Sequence, residues 1–180
     1  STSSLDSTTI ANMIAGAGGG GGCDIKFPAG LDGVAITHDA SSSNYTVPSG
    51  KMLYILDFKL TVGNDLYIDG LKFNTGATGQ ARICNSGQVV SGGGNFNGLL
   101  VDEISDVIGI TQSLGNYTVP SGKMLYILDF WYYNGDLSID GIILHNNGVS
   151  IKIAKGGQVI SGGGNLNAYL VDENYFAGCG

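Results

Sequence analysis

Residues that could do chemistry are few in this chain, and their spacing fits no common catalytic pattern. The histidines are His38 and His145, which lie far apart in the sequence. A Ser-His-Asp or Cys-His set needs a histidine held beside a nucleophile, and the chain contains no G-x-S-x-G elbow to supply one. The sequence therefore predicts that the protein is not an enzyme.

The acidic residues and the glycine runs also have explanations that require no ligand. Asp65, Asp69, Asp136 and Asp140 carry the oxygen ligands that calcium prefers, but aspartates at strand ends usually serve turns. The SGGGN runs at 91–95 and 161–165 lack the Lys-Ser/Thr of a phosphate-binding loop. We expect these runs to be flexible connections between strands, and we expect neither a metal nor a cofactor.

The chain has three cysteines, Cys23, Cys84 and Cys179. Cys23 and Cys179 bracket the part of the chain that is expected to fold, so a disulfide between them would suit an oxidising compartment. Cys84 would then be buried and free. Three unpaired thiols are the alternative, because spacing does not fix connectivity.

Two further groups of residues are candidates for contacts with carbohydrate. Asn44 and Asn116 each begin an N-x-T sequence that accepts an N-linked glycan in an exported protein, although duplication of one chance sequence would also produce the pair. Trp131, Tyr132 and Tyr133 form the densest aromatic run. Such a patch either stacks on a sugar or packs between repeats or subunits.

Composition and charge limit the classes of partner that the chain could bind. The formal net charge is -7, and only 13% of the 180 residues are charged. An acidic chain has no electrostatic attraction for nucleic acid or for anionic lipid. No apolar run is long enough for a membrane-spanning helix. Glycine is abundant, with 31 residues, which indicates many turns and close backbone contacts.

An internal repeat organises the chain. The segment 44–58 reads NYTVPSGKMLYILDF and recurs unchanged at 116–130. The segment 87–103, GQVVSGGGNFNGLLVDE, recurs as GQVISGGGNLNAYLVDE at 157–173. We therefore divide the chain into an N-terminal arm with a glycine-rich linker (1–22), repeat 1 (23–105) and repeat 2 (106–180).

Each repeat has the pattern of short strands separated by turns. Pro48-Ser49-Gly50 is a turn signal, and Asp69-Gly70 between apolar triplets predicts a type I′ hairpin. Partial alternation over 51–62 predicts that one wholly apolar face points into the core, namely Met52, Tyr54, Leu56, Phe58 and Leu60. The sequence predicts an all-β protein with two tandem, homologous β-sandwich units, Ig-like or jelly-roll-like, behind an extended N-terminal arm.

The arm contains a short apolar segment ahead of the glycine linker at 16–22. This segment comprises Ile10, Ala11, Asn12, Met13, Ile14 and Ala15. Its length fits a strand, and its spacing also fits one or two turns of helix. We expect it to dock on another subunit by adding a strand to an open sheet edge, the alternative being a disordered tail.

The arm, the linker, the two β-repeats and the TVPSGK sequences at 46–51 and 118–123 together give a family resemblance. The chain resembles pilus-like subunits that polymerise by donor-strand exchange. The resemblance implies an extracellular structural protein, a homopolymeric filament at the cell surface whose partners are copies of itself. Two alternatives are a viral or phage capsid or fibre protein, and a carbohydrate-binding module with glycans as partners.

Overall fold

The structure is a computed structural model that describes residues 33–60, 65–73, 81–144 and 151–176. All the strands of both repeats lie in one compact unit, Asp32–Glu173. The described residues form β-strands and turns without a helix, so none of them builds a helix that could span a membrane. The prediction of an all-β protein is confirmed.

Repeat 1 forms two four-stranded antiparallel sheets. One sheet has the order β1-β8-β3-β6 and the other the order β2-β7-β4-β5. The strands are β1 (Val34–Asp39), β2 (Tyr45–Thr46), β3 (Lys51–Leu60), β4 (Leu66–Ile68), β5 (Leu71–Phe73), β6 (Arg82–Cys84), β7 (Val89–Gly92) and β8 (Gly94–Asp102). β5 and β6 are therefore edge strands.

Repeat 2 repeats these pairings with six strands, two of which each span the positions of two strands in repeat 1. The six strands are β9 (Ile108–Thr118), β10 (Lys123–Tyr132), β11 (Ser138–Ile139), β12 (Ile142–Ile143), β13 (Lys152–Lys155) and β14 (Val159–Asp172). β9 runs through the positions of β1 and β2, and β14 through those of β7 and β8, so the pairings join into one six-stranded sheet. β12 and β13 are edge strands, as β5 and β6 are in repeat 1.

The turns form where the sequence predicts them. Asp69 and Gly70 have φ values of 49° and 75°, as a type I′ turn requires at both central residues, and Asp140 and Gly141 repeat this with 52° and 78°. The Lys51 amide donates to the Pro48 carbonyl at 3.2 Å, which closes the proline turn. The two type I′ turns fix the registers of the β4–β5 hairpin and of the equivalent hairpin in repeat 2.

The prediction that a single alternating set of β3, from Met52 to Leu60, faces the core is wrong. The register of β3 against β8 shifts between Ile55 and Asp57, because a β-bulge adds one residue there. Leu53 and Ile55 face the core before the bulge, and Phe58 packs against it after the bulge. Met52 and Tyr54 are buried but lie outside that core cluster, and Leu56 is 47% exposed. Repeat 2 has the same shift, between Ile127 and Asp129.

Each repeat has its own apolar core, and equivalent positions fill both. In repeat 1 the cluster draws on both sheets: Ala40, Val47, Leu53, Ile55, Leu66, Ile68, Phe73, Cys84, Val90 and Phe96. Repeat 2 buries the cluster Leu114, Val119, Leu125, Ile127, Phe130, Leu137, Ala154, Ile160, Leu166, Ala168 and Leu170. Burial of this apolar surface is the main favourable term in folding each repeat.

Candidate functional site

His38 and Cys84, the two described residues of the histidine and cysteine candidates, lie in surroundings that suit a structural role. His38 Nε2 lies 2.7 Å from the Ser43 carbonyl oxygen, and its ring packs against Tyr45 and Phe96 at centroid distances of 5.2 and 5.5 Å. Cys84 is buried and not in a disulfide, and burial raises the pKa of its thiol well above the usual range. His145, Cys23 and Cys179 lie outside the described residues.

The repeated aspartates hold turns. The Asp69 carboxylate accepts hydrogen bonds from the Val89 amide and from Gln88 Nε2, both at 2.8 Å. Asp140 makes the same two bonds in repeat 2, to Val159 at 2.8 Å and to Gln158 at 2.9 Å. These bonds tie the type I′ hairpin to the start of the neighbouring strand. Within the described ranges, no three His, Cys, Asp or Glu side chains gather into a group that could hold a metal ion.

The SGGGN runs are not flexible connections, which corrects the expectation from sequence. The first spans the end of β7 and the start of β8, and the second lies wholly within β14. A Cβ on Gly92 would lie 1.9 Å from the Asp65 carbonyl oxygen, and a Cβ on Gly163 would lie 1.7 Å from that of Asn134. Glycine is needed here because backbone passes directly against backbone where the chain moves between sheets.

The candidate glycan acceptors are both accessible. Asn44 lies in the loop before β2 and Asn116 lies on β9, and both side chains are exposed. The candidate docking arm, residues 10–15, lies outside the described residues.

The structure separates the three residues of the aromatic run. Trp131 packs against the core of repeat 1, with the Lys72 ammonium 5.2 Å from its ring centroid. Tyr132 and Tyr133 are 47% and 61% exposed, and Tyr133 shares a hydrogen bond of 2.7 Å with Ser113. Trp131 thus belongs to the contact between the repeats, whereas the two tyrosines face solvent.

The most developed polar cluster is one that the sequence reading missed, and it joins the two repeats. Arg82 on β6 and Asp129 on β10 form an ion pair with Nε and Oδ2 2.8 Å apart, and both side chains are buried. Burial raises the pKa of Asp129, and the positive charge of Arg82 opposes that rise. A buried carboxylate without such a partner would be strongly destabilising.

Asn167 on β14 supplies the centre of this contact. Its Oδ1 accepts from the Ile83 amide at 2.9 Å, and its Nδ2 donates to the Ile83 carbonyl at 2.8 Å. One side-chain amide therefore satisfies both backbone groups that the edge strand β6 directs away from its own sheet. Asn165 adds a bond to the Lys72 carbonyl at 2.8 Å, and Asn85 adds one to the Gly109 carbonyl at 2.9 Å.

One signal in the sequence points to this cluster. Aspartate and asparagine recur at matching places inside the otherwise apolar strands of both repeats, as Asp57 and Asp129 and as Asn97 and Asn167. Buried polar groups need partners, but the pattern does not identify which element supplies them.

Comparison with other proteins adds little. No protein-family model matches the sequence, and no curated protein matches it. Among solved structures, a conserved protein of unknown function from Pseudomonas aeruginosa PAO1 is similar, at 13% identity and a TM-score of 0.28, over 77% of this chain and 76% of that chain. A TM-score this low does not establish a shared fold.

Proposed function

We propose that the protein is the structural subunit of an extracellular, pilus-like filament built from copies of itself. The observation that carries this proposal is the apolar open edge of repeat 2. Its exposed isoleucines are Ile142 (68% exposed), Ile143 (69%), Ile151 (50%) and Ile153 (51%). Exposed apolar side chains that are grouped at one edge of a fold mark contact surfaces.

The placement of the polar residues agrees with a structural role. Asp69 and Asp140 hold hairpins, and Asp129 holds the two repeats together. Lys51 and Lys123 pair with Asp102 and Asp172 at the ends of matching strands. Each of these acidic side chains is used to fix strands.

We also infer that each repeat is a jelly-roll-like sandwich. In repeat 1 the two sheets share one core, and in repeat 2 the matching pairings enclose an equivalent core. β9 and β14 would then each be one strand that bends from one sheet of the sandwich into the other. The bend would lie at the register shift between Ser161 and Gly164.

The N-terminal arm is the proposed polymerising element. Burial of its apolar residues on a neighbour would contribute roughly 1.5–3 kcal/mol for each large side chain, before ordering costs.

Deletion of residues 1–15 tests the role of the arm. The full chain is expected to form filaments in negative-stain micrographs, and the deletion variant is expected to sediment as a folded monomer with an unchanged circular dichroism spectrum. Filaments that persist without the arm would exclude it as the polymerising element.

The same micrographs test the alternatives. Closed shells in place of filaments would favour the capsid function. The carbohydrate-binding alternative has weaker support, because Trp131 is committed to the repeat–repeat contact and only Tyr132 and Tyr133 are left to stack on a sugar. Extracellular export would be supported by glycan mass on Asn44 or Asn116, or by a disulfide between Cys23 and Cys179, in the native material.

A further inference from the structure

The contact between the two repeats is not reciprocal. Repeat 1 contributes the edge strands β5 and β6, whereas repeat 2 contributes the face formed by β9, β14 and β10. Both repeats have the same strand order, so each molecule has a second copy of both surfaces: the edge of repeat 2 and the face of repeat 1. We call these the distal edge (β12, β13 and Ile151) and the free face (Thr37, Asp57, Asn95 and Asn97).

The free face has the same polar residues as the face that is already occupied. Asp57, Asn97, Asn95 and Thr37 stand at the positions of Asp129, Asn167, Asn165 and Thr111. The four residues on repeat 1 are exposed, whereas Asp129, Asn165 and Asn167 are buried.

The amide of Asn97 is also held in a comparable way. Asn97 Nδ2 donates to Thr37 Oγ1 at 3.3 Å, as Asn167 Nδ2 donates to Thr111 Oγ1 at 3.0 Å. Its second bond goes to the Ile36 carbonyl at 3.2 Å, where Asn167 instead bonds the Ile83 carbonyl at 2.8 Å, so docking would exchange the bond to Ile36 for one to the docked strand. The group that binds the strand edge within the molecule is therefore present a second time on the surface, already oriented by a neighbouring threonine. Leu56, beside Asp57, adds an apolar side chain that is 47% exposed, whereas the equivalent Leu128 is 5% exposed.

The distal edge matches the edge that is already docked. Ile153 stands at the position of Ile83, and Lys152 stands at the position of Arg82 with the same charge. Ile83 is fully buried by its surroundings, whereas Ile153 is 51% exposed. Ile142 and Ile143 extend the apolar surface along β12, where β5 carries Leu71 and Lys72.

One pair of facing residues in the contact between the repeats, Gly109 and Asn85, is changed at the equivalent positions. Gly109 leaves room for Asn85, since a Cβ there would lie 2.3 Å from the Asn85 side chain. The free face has Ala35 at that position, and the distal edge has Lys155 in place of Asn85. This exchange loses the hydrogen bond from Asn85 to Gly109. The contact of Lys72 with Trp131 is lost as well, since Lys59 stands at the position of Trp131 on the free face. The bonds made by Asn165 and Asn167 go to backbone groups that any residue supplies.

We infer that the distal edge of one copy docks on the free face of a second copy, in the arrangement that β5 and β6 adopt on repeat 2. Asn97 of the second copy would bind the outward backbone groups of Ile153. The contact joins two different surfaces, so a row of docked copies ends in a distal edge on one side and a free face on the other. Further copies can add at both ends, and the contact therefore builds an open chain. This inference rests on the proposed filament function. It adds a second contact to that of the N-terminal arm, and assembly would require both; the second contact continues the internal repeat from molecule to molecule.

Photo-crosslinking tests the contact in the full chain. Benzoylphenylalanine replaces Ile153, an exposed position, and assembled material is made from an equal mixture of 14N and 15N protein. Crosslinked peptides of mixed isotope that join position 153 to residues 95–99 or 35–37 are the expected result. Crosslinks from position 153 to residues 10–15, or to any other surface in filaments, would overturn the inference and leave the filament function intact. A wild-type chain that never assembles would overturn both.

A pair of substitutions measures how much the contact contributes. Ile153→Asp places a charge in the docked edge, and Val159→Asp places one at a 37% exposed valine on β14 outside both surfaces. The critical concentration for assembly should rise about tenfold or more for Ile153→Asp and stay within about twofold for Val159→Asp. Equal unfolding midpoints will show that both variants are folded, and equal critical concentrations would contradict the inference.

Discussion

At the scale of single residues, the acidic side chains show how one residue type serves different ends. Asp69 and Asp140 adopt positive φ and tie a hairpin to the next strand. Asp39 folds the following loop around itself by accepting from the hydroxyls of Ser41 and Ser42 and from the Ser41 amide. Asp129 is buried against Arg82.

Asp39 gives a prediction for pH dependence. Hydrogen bonds from Ser41 and Ser42 lower the pKa of Asp39 from 3.8 to about 2. Because the folded-state pKa lies below the unfolded value, the stability that this carboxylate contributes is present above about pH 4 and is lost as the pH falls toward 2. An NMR titration of the Asp39 carboxyl carbon should give a midpoint near 2, and the double variant Ser41→Ala/Ser42→Ala should move it back toward 3.8.

Asp140 gives a second prediction at this scale. The Val159 amide and the Gln158 side chain lower the pKa of Asp140, so its contribution is also greatest at neutral pH. Asp140→Ala should lower the urea midpoint, because it removes both bonds and places alanine at a φ of 52°. Asp140→Asn is the control, since asparagine tolerates positive φ and keeps one acceptor. Equal losses for the two variants would show that the hydrogen bonds do not matter.

At the scale of the strands, the glycine run sets where the chain can move between sheets. The Gly163 carbonyl accepts from the amides of Tyr133 and Asn134, at 3.0 and 2.9 Å, so two backbones touch without side chains between them. This arrangement lets β14 continue through 161–165 and still pair with three neighbours, β9, β10 and β11.

Substitution of this glycine tests that explanation. Gly163→Ala should destabilise the fold by about 1–3 kcal/mol, because the added Cβ has no room. Gly115→Ala on β9 is a matched control, since a Cβ at Gly115 meets nothing within 4 Å. Urea unfolding should leave the control within about 0.5 kcal/mol of the wild type. Equal midpoints for both variants would mean that the strand can shift to accept a side chain.

At the scale of the whole molecule, the buried ion pair makes the two repeats depend on each other. Asp129→Ala leaves the Arg82 charge buried without its partner, and we expect a loss of about 3–5 kcal/mol in unfolding free energy. Asp57→Ala, at the equivalent exposed position in repeat 1, should change stability by less than about 0.5 kcal/mol in dilute solution. The comparison isolates the effect of burial at the same place in the fold.

The double variant Arg82→Met/Asp129→Leu supplies a further check. It removes both charges and keeps apolar volume, so it should be more stable than Asp129→Ala alone. A double variant as unstable as the single one would mean that the loss comes from packing and not from the unpaired charge.

A reading of the sequence predicted much of the fold because its signals are local. Asp-Gly between apolar triplets requires a type I′ hairpin whatever surrounds it, and the 44–58 segment and its copy at 116–130 require the same strands in both repeats. The bulge at Ile55 and Asp57 was not predictable in this way, since it depends on how β3 pairs with β8 and reverses which residues face the core. The glycine runs were misjudged for the same reason.

The sequence by itself determined the repeat, its turns and its strands, because these follow from residue type and spacing within a few residues. Only the tertiary structure decided that Asn167 binds Ile83, that Arg82 meets Asp129 and that Trp131 is covered by repeat 1. Two copies of one sequence pattern acquired different environments, one buried and one exposed. The physical reason is that one repeat can dock its edge on the next only once within a chain of two, so one edge and one face are not docked on another repeat in the part of the chain that the structure describes.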